Sequence, residues 1–316
     1  MNLGALEITK PGLLTSVQDL GRHGQQAVGV PVAGPMDTFS HRLANLLVGN
    51  DPDAATLEIT LIGPEMRIEA DTTMAIVGAL FEVTCDGRPV PMGASFVVQR
   101  SQRLRFGRIV QGARAYLAVA GGLLTGVVLG SRATHLVSRM GGVEGRALMA
   151  GDRLPVQDRP GSRPSRKANG LTLPTGGRSR LRMIAGPQDS WFHPDSLKAL
   201  AGVSFRISPR SNRMGYRLEG PPLVRTQEGE LISEPVGMGA IQVPSAGEPI
   251  LLMADRQTAG GYPKVGHVIS ADLPLAAQLA PGDFIELILC SRQEAVTALI
   301  ARERQLLRYA DLRDAS

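Results

Sequence analysis

Cysteine is scarce in this sequence. The 316 residues include only Cys85 and Cys290, and neither has a second cysteine or a histidine nearby at the spacing of a metal site. This pattern excludes a disulfide framework and predicts inert thiols in apolar segments. The five histidines show neither HExxH nor HxH spacing. We therefore expect no metal site.

Aromatic residues make up only 4% of the chain, although its net charge is +5 and its pI is about 9.6. The arginines are scattered, and their densest cluster, residues 159–182, lies in a segment rich in proline, glycine and serine. Nucleic-acid surfaces usually combine clustered basic residues with aromatic stacking platforms. We expect no nucleic-acid partner.

Long apolar runs are also missing. The longest, from Ala115 to Leu124, is interrupted by Gly121 and Gly122, and a membrane-spanning helix needs about 20 apolar residues. The N-terminus has neither a basic start nor a continuous apolar core of the kind found in signal peptides. These absences predict no membrane association and a cytoplasmic location.

Several catalytic and nucleotide-binding motifs are absent. The chain contains no GxxxxGK[ST], no GxGxxG between a strand and a helix, and no GxSxG. The sequence therefore supports neither a P-loop nor a Rossmann fold, and it excludes the nucleophile elbow of an α/β-hydrolase.

Short runs with partial apolar alternation follow one another from Ala54 onward, each bounded by glycine, proline or aspartate. Such a pattern is typical of a barrel or a sandwich. The stretch 157–177 has no periodic apolar face and predicts a linker. We expect a first β-barrel half at 1–156, a second at 178–291 and a helix at 292–316.

Three segments change to helical spacing. Thr38–Gly49 has apolar residues at helical intervals, with Asp37 or Thr38 as its cap, and a second helix is expected near His193–Ala201 because Pro194 suits a first turn. In the C-terminal helix one face is apolar, formed by Val296, Leu299, Ile300, Leu306 and Leu307. This helix is expected to dock on a barrel or on a partner.

The strongest candidate site follows the apolar run Pro249–Ala254, which predicts a strand. Its residues are Asp255, Arg256, Gln257, Thr258, Gly260, Gly261, Tyr262 and Lys264. Lysine occurs only four times in the chain, and its ammonium group has a tunable pKa, unlike that of arginine. A polar hairpin without function is the alternative interpretation.

A second candidate is the glycine-rich loop at residues 15–37, since long loops in compact domains are usually functional or disordered. It carries Gln18, Asp19, Arg22 and Asp37. Asp37 has the alternative role of capping the following helix.

The strand and paired glycines in GARAYLAVAGG (112–122) resemble those in GEPILLMADRQTAGG (247–261), which suggests two copies of one barrel.

Four stretches together resemble a known family. They are PGLLTSVQDLGRHGQQAVGVPVAGPMD (11–37) with SHRLANLLVGN (40–50), GARAYLAVAGG with VLGSRAT (128–134), SNRMGYRLEG (211–220), and GAIQVPSAGEPILLMADRQTAGGYPK (239–264). The family is known as allophanate hydrolase subunit 2, as the biotin-dependent carboxyltransferase A/B type, as KipA, and as the C component of 5-oxoprolinase.

The resemblance implies a mainly β fold with two cyclophilin-like β-barrel domains, a few short helices and the C-terminal helix. It also implies a hetero-oligomer with two partners, a KipI-like protein and a large subunit. In the 5-oxoprolinase arrangement the complex cleaves 5-oxo-L-proline to L-glutamate and uses ATP, which need not bind this chain. A chain of this length without biotin carboxylase or carrier regions favours that arrangement.

Two alternatives remain open. One is the carboxyltransferase component of a biotin-dependent urea carboxylase, and the other is a non-catalytic KipA-like regulator. For a small amide or lactam substrate we expect Asp255, Arg256, Tyr262 and Lys264 to be catalytic, with Asp255 as acceptor or general base and the other three as donors.

The remaining candidates are expected to bind substrate. They are Gln257, Thr258, Gly260, Gly261, Gln18, Asp19, Arg22, Asp37, Arg213 and Gln242. Gly260 and Gly261 would let the backbone approach a ligand closely. For Arg22 and Arg213 the alternative is ion pairing at strand ends.

Overall fold

The computed structural model describes residues 3–159, 167–168, 177–227, 229 and 231–310. The chain divides into two compact units: the first comprises Met1–Arg22, Ala33–Pro174 and Gln305–Ser316, and the second comprises His23–Val32 and Thr175–Arg304. The predicted linker at 157–177 lies mostly outside the described residues, so the predicted domain boundaries stay predictions.

The first unit is built on one sheet. Its strands are β1 (Leu3–Lys10), β2 (Leu14–Gln18), β3 (Thr56–Thr60), β4 (Glu65–Ile68), β5 (Thr72–Cys85), β6 (Arg88–Pro89), β7 (Ser95–Val98), β8 (Arg103–Val119) and β9 (Arg153–Gln157). They run in the order β2-β3-β8-β4-β1-β9, and β5 joins through β8 and carries β6 and β7.

The 17-residue strand β8 explains why this sheet curls. It pairs with β3 through its C-terminal half, with β4 through its N-terminal half, and with β5 along most of its length. The β5 pairing shifts register between Gly78 and Val83, and such irregularities bend a strand. The inward faces bury residues such as Leu6, Ile59, Ile76, Leu104 and Leu117.

Helix α1 (Thr38–Leu47) confirms the helix predicted at Thr38–Gly49. Asp37 caps it, because its Oδ1 accepts a hydrogen bond from the backbone N–H of Ser40 at 2.9 Å and its Oδ2 accepts from the Ser40 hydroxyl at 2.7 Å. The apolar side of the helix buries Leu43 and Leu47 against Tyr116 and its neighbours. The capping role considered for Asp37 is therefore the one that the structure shows.

The second unit contains a closed barrel of seven strands in the order β10-β17-β14-β15-β12-β11-β18. The strands of this unit are β10 (Arg178–Ala185), β11 (Ser204–Ile207), β12 (Gly215–Glu219), β13 (Glu234–Pro235), β14 (Ala240–Gln242), β15 (Ile250–Leu252), β16 (Ala259–Gly260), β17 (Lys264–Val268) and β18 (Phe284–Leu289). Parallel pairing of β10 with β18 closes the ring, and β13 pairs with β16 outside it. The mainly β fold is thus confirmed, with one closed barrel and one curled sheet.

Three further helices are present. They are α2 (Pro194–Gly202), α3 (Leu273–Ala277) and α4 (Arg292–Ala310). The first confirms the helix expected near His193, whose Nδ1 accepts a hydrogen bond from the N–H of Asp195 at 3.3 Å. No helix in the described ranges is both long enough and apolar enough to span a membrane.

The predicted apolar face of α4 is mostly exposed. Leu306 is buried, whereas Val296, Leu299, Ile300 and Leu307 are between 39% and 56% exposed. The helix thus packs on the first unit through Leu306 and Tyr309, and docking of the rest of this face on a partner stays a prediction. The last predicted residues of this helix, 311–316, lie outside them.

Candidate functional site

The barrel brings the predicted residues of the second unit together at the ends of three neighbouring strands. Strand β14 lies between β15 and β17, and its last residue, Gln242, is paired with Ile250 on one side and with Lys264 on the other. The chain leaves β15, passes through residues 253–258 and the two-residue strand β16, and enters β17 at Lys264. We name the segment Asp255–Lys264 the site loop.

A side-chain amide of the site loop is hydrogen-bonded to a side-chain amide of β14. Gln257 Nε2 donates a hydrogen bond to Gln242 Oε1 at 3.1 Å, and Gln242 Nε2 donates to the Tyr262 carbonyl at 3.5 Å. Gln242 is only 1% exposed. A Cβ at Gly260 would lie 2.8 Å from Gln242 Nε2. The close approach at Gly260 is therefore to the protein's own amide groups.

Gly261 has a similar requirement. A Cβ there would lie 2.9 Å from the carbonyl oxygen of Leu231, which is shorter than real Cβ contacts allow. The two glycines thus let the site loop pack closely on the polypeptide chain, and the predicted approach of their backbone to a ligand stays a prediction.

Tyr262 opens onto a cavity of about 240 Å³, which we name the amide cavity. Its walls include both members of the amide pair, Gln242 and Gln257, and its other lining residues are Arg210, Asn212, Met214, Gly215, Arg217, Ile250 and Leu252. The Tyr262 side chain is half-exposed. Polar groups over a small apolar floor are typical of a small-molecule site.

A second cavity of about 320 Å³, the arginine cavity, lies on the other side of Gln257. Its wall from the site loop consists of Arg256, Gln257 and Thr258, and it is completed by Gln26, Val32, Pro235, Val236 and Gly237. Part of the glycine-rich loop thus lines this cavity together with the site loop. The contributing residues are Gln26 and Val32, which the sequence did not single out.

Arg256 is the charged group of this cavity. Its guanidinium donates to the carbonyl oxygens of Val236 at 3.2 Å, Met253 at 3.4 Å and Ala254 at 3.5 Å. Burial lowers the pKa of Arg256. Within the described part of the chain no carboxylate forms an ion pair with it, which leaves a half-buried cation held by neutral acceptors.

Asp255 is bound by another side chain of the barrel. Its two carboxylate oxygens accept hydrogen bonds from Nε and Nη2 of Arg213, both at 2.9 Å, and both side chains are almost completely buried. The Asp255 N–H also donates to the Arg213 carbonyl at 2.9 Å. The ion pairing considered for Arg213 is confirmed, and the paired carboxylate is better suited to holding the site loop than to acting as a general base.

Lys264 is also engaged by the protein. Its ammonium group pairs with Glu234, and its backbone N–H donates to Gln188 Oε1 at 3.0 Å. Gln188 Nε2 in turn donates to Glu234 Oε1 at 3.0 Å. The hydrogen bond from Lys264 lowers the pKa of Glu234. This cluster fixes the end of the site loop to β13.

The glycine-rich loop supplies a buried polar network to the first unit. Asp19 accepts hydrogen bonds from the Ser131 hydroxyl at 2.5 Å and from the backbone N–H of Arg132 at 2.5 Å, and Gln18 Nε2 donates to the Thr134 carbonyl at 3.1 Å. Arg22 donates to the carbonyls of residues 128 and 133. In the first unit these residues hold the segment 128–134, one of the four stretches that carry the family resemblance.

Sequence reasoning missed two kinds of site residue. Asn212 and Gln26 lie within stretches already recognised, so their position in a motif was an available signal. Glu234 and Gln188 come from segments without any such signal. They meet Lys264 only because strand pairing brings three distant parts of the chain together.

A model of the carboxyltransferase domain, subdomains A and B, matches residues 28–288. The chain is 42% identical over 299 residues to the C component of the 5-oxoprolinase of Escherichia coli, covering 95% of this chain and 96% of that protein. It is 34% identical to the urea amidolyase of Saccharomyces cerevisiae, covering 90% of this chain and 16% of that protein. The crystal structure of Kluyveromyces lactis urea carboxylase superposes with a TM-score of 0.88 at 31% identity, covering 96% of this chain and 29% of that one.

Proposed function

Because the chain belongs to the family of carboxyltransferase domains with subdomains A and B, we propose that it is the C component of an ATP-dependent 5-oxoprolinase. With a KipI-like protein and a large subunit it would cleave 5-oxo-L-proline to L-glutamate. The observation that carries this proposal is the match of 42% identity along nearly the full length of both chains. The urea amidolyase match spans only a small part of the larger protein.

The amide cavity supports a lactam substrate. A lactam presents one N–H donor and one carbonyl acceptor, and a carboxamide side chain offers the complementary pair. In the described part of the chain, Gln257 Oε1 and the Tyr262 hydroxyl have no protein hydrogen-bond partner. Gln257 and Tyr262 are therefore the groups best placed to contact a lactam.

We assign roles on this basis. Ring opening breaks the bond between the carbonyl carbon and the ring nitrogen, adds the oxygen of water to that carbon, and places a proton on the nitrogen. Tyr262 would donate to the carbonyl oxygen as negative charge develops there, and Gln257 would bind the lactam edge. Asp255 and Lys264 act as positioning residues, because each is paired within the protein.

ATP belongs to the complex in this proposal. The sequence has neither of the common phosphate-binding glycine motifs, so the nucleotide is not required to bind this chain. Its hydrolysis would supply the free energy for opening a stable lactam.

The test is reconstitution of the three-protein complex and measurement of ATP-dependent loss of 5-oxoproline. Tyr262→Phe is expected to lower turnover on the order of 100-fold, the effect typical of losing one donor to a developing oxyanion. Gln257→Ala should raise KM. Gln99→Ala, an exposed glutamine of the first unit, is the control and should match the wild type.

Leaving this chain out of the complex distinguishes a catalytic role from a regulatory one. Loss of all turnover is expected. Full basal turnover without it would contradict the proposal and favour the KipA-like regulator.

A second candidate is biotin-dependent carboxyl transfer to urea, favoured by the carboxyltransferase family model and by the urea carboxylase structure. The ureido ring of biotin is a planar cyclic amide, so the Gln242 and Gln257 pair also fits it chemically. Bound there, biotin would carry the carboxyl group. Inhibition of the reconstituted activity by avidin would support this candidate, and indifference to avidin would count against it.

A further inference from the structure

The arginine cavity contains a positive charge that forms no ion pair with a carboxylate of the described residues. Arg256 is held by three carbonyl oxygens, two of them at 3.4 Å or more, and by no carboxylate among the described residues. A partly buried cation without a counter-ion is costly to maintain. Such a charge is therefore suited to attracting an anionic ligand.

The neighbouring carboxylates do not compete for Arg256. Asp255 is bound on both oxygens by Arg213, and Glu234 is bound by Lys264. Asp255 therefore acts on Arg256 only through space, where its charge raises the Arg256 pKa against the effect of burial. Burial and the nearby charge of Arg256 lower the pKa of His267, against the effect of its hydrogen bond with the Val268 carbonyl.

The rest of the cavity wall combines apolar and neutral polar groups. Val32, Pro235 and Val236 provide apolar surface, while Thr258 and Gln26 provide a hydroxyl and an amide. A volume of about 320 Å³ suits a metabolite of small size. Gly237 carries no side chain that would fill this space, and a Cβ there would lie 3.1 Å from His267 Nε2.

We propose that Arg256 binds a substrate carboxylate in the arginine cavity and thereby selects small lactam acids over uncharged amides such as urea. Nε of Arg256 donates to Val236 and Nη1 donates to Met253 and Ala254, so among the described residues the N–H groups of Nη2 remain to donate to a carboxylate. Gln257 borders both the arginine cavity, where the carboxylate would bind, and the amide cavity, which Tyr262 also lines. In 5-oxoproline the carboxylate-bearing carbon is bonded to the lactam nitrogen, so one small molecule presents both groups. This inference rests on the proposed function for the identity of the lactam.

The test is calorimetric binding to the assembled complex without turnover, with three probes: 5-oxo-L-proline, 2-pyrrolidinone, which is the same ring without the carboxylate, and urea. Arg256→Gln is expected to weaken 5-oxoproline binding by about tenfold to a hundredfold, as for loss of a hydrogen bond to a charged group. Binding of 2-pyrrolidinone should not change. Arg256→Lys keeps the positive charge but not the geometry of the guanidinium. Its affinity for 5-oxoproline should therefore lie between those of the wild type and Arg256→Gln.

Arg304→Gln is the matched control, since Arg304 is an exposed arginine on α4, and its affinities should equal those of the wild type. Each variant is checked for an unchanged melting temperature. Equal weakening of both lactams in Arg256→Gln would overturn the inference, because it would indicate that the guanidinium only holds the loop through the Val236 carbonyl. Unchanged affinity for 5-oxoproline would overturn it as well.

The two proposals can fail separately. A wild-type complex that binds 5-oxoproline through Arg256 without opening the ring would contradict the proposed function alone. A complex that opens the ring, with Arg256→Gln binding 5-oxoproline normally, would contradict the carboxylate site alone.

Discussion

The pair formed by Asp255 and Arg213 lies within the second unit with both side chains less than 5% exposed. Removing one member of a buried ion pair leaves the other charge uncompensated, at a cost of about 3–5 kcal/mol. We therefore expect Asp255→Asn to lower the free energy of unfolding by roughly that amount. Urea denaturation of the isolated chain measures it.

A double variant separates positioning from catalysis. If Asp255 serves only to pair, Asp255→Asn combined with Arg213→Gln should regain part of the lost stability and part of the lost turnover. Turnover that stays abolished in a stable double variant would instead indicate that Asp255 acts as a base. Arg210→Gln is the stability control, since Arg210 pairs with Glu248 only at 3.7 Å in an exposed position, where ion pairs contribute little.

At the scale of elements, helix α4 offers two adjacent leucines in opposite environments. Leu306 is 1% exposed and packs in a core with residues of α1 and β8, whereas Leu307 is 56% exposed. Leu306→Ala should lower the free energy of unfolding by about 2–5 kcal/mol, because it leaves a cavity. Leu307→Ala should change it by less than about 0.5 kcal/mol. If urea denaturation gave the same loss of unfolding free energy for Leu306→Ala and Leu307→Ala, the observed packing would be contradicted.

The helices show what local sequence can predict. The cap at Asp37 and the proline at position 194 act through neighbouring residues, so both helix starts could be located from the sequence. The apolar spacing of α4 predicted a helix correctly but not which residues it buries. That choice depends on what the helix meets in the folded chain, and Leu306 and Leu307 differ by only one position.

As with the helices, the position of the candidate site could be predicted from the sequence, but the contacts of its residues could not. The strand before Asp255 and the clustering of polar residues after it are local features, and the structure has both. The role of each residue depends on partners far along the chain: Arg213 for Asp255, and Glu234 for Lys264. Their pairing follows from barrel registers such as that of β14 with β17, which no local pattern specifies.

On the scale of the whole molecule, one buried histidine couples folding to pH. His41 on α1 is fully buried, with Nδ1 2.9 Å from the Thr56 hydroxyl. Burial lowers its pKa from 6.5 to about 4, although the nearby charges of Asp19 and Glu58 act in the opposite direction. Between these two pH values the unfolded chain binds a proton at this position and the folded chain does not.

Stability must therefore fall as the pH falls from about 6.5 to about 4, since the unfolded state binds more protons in that window. From pH 7 to pH 5, the contribution of His41 is about 2 kcal/mol of unfolding free energy. His41→Gln, which retains a partner for Thr56, should flatten the pH dependence by that amount. His193→Gln is the control for the loss of a histidine, because the His193 side chain is 53% exposed. Urea denaturation at pH 5, 6 and 7 measures all three proteins, and an identical slope in wild type and His41→Gln would show that this histidine is not the group that titrates.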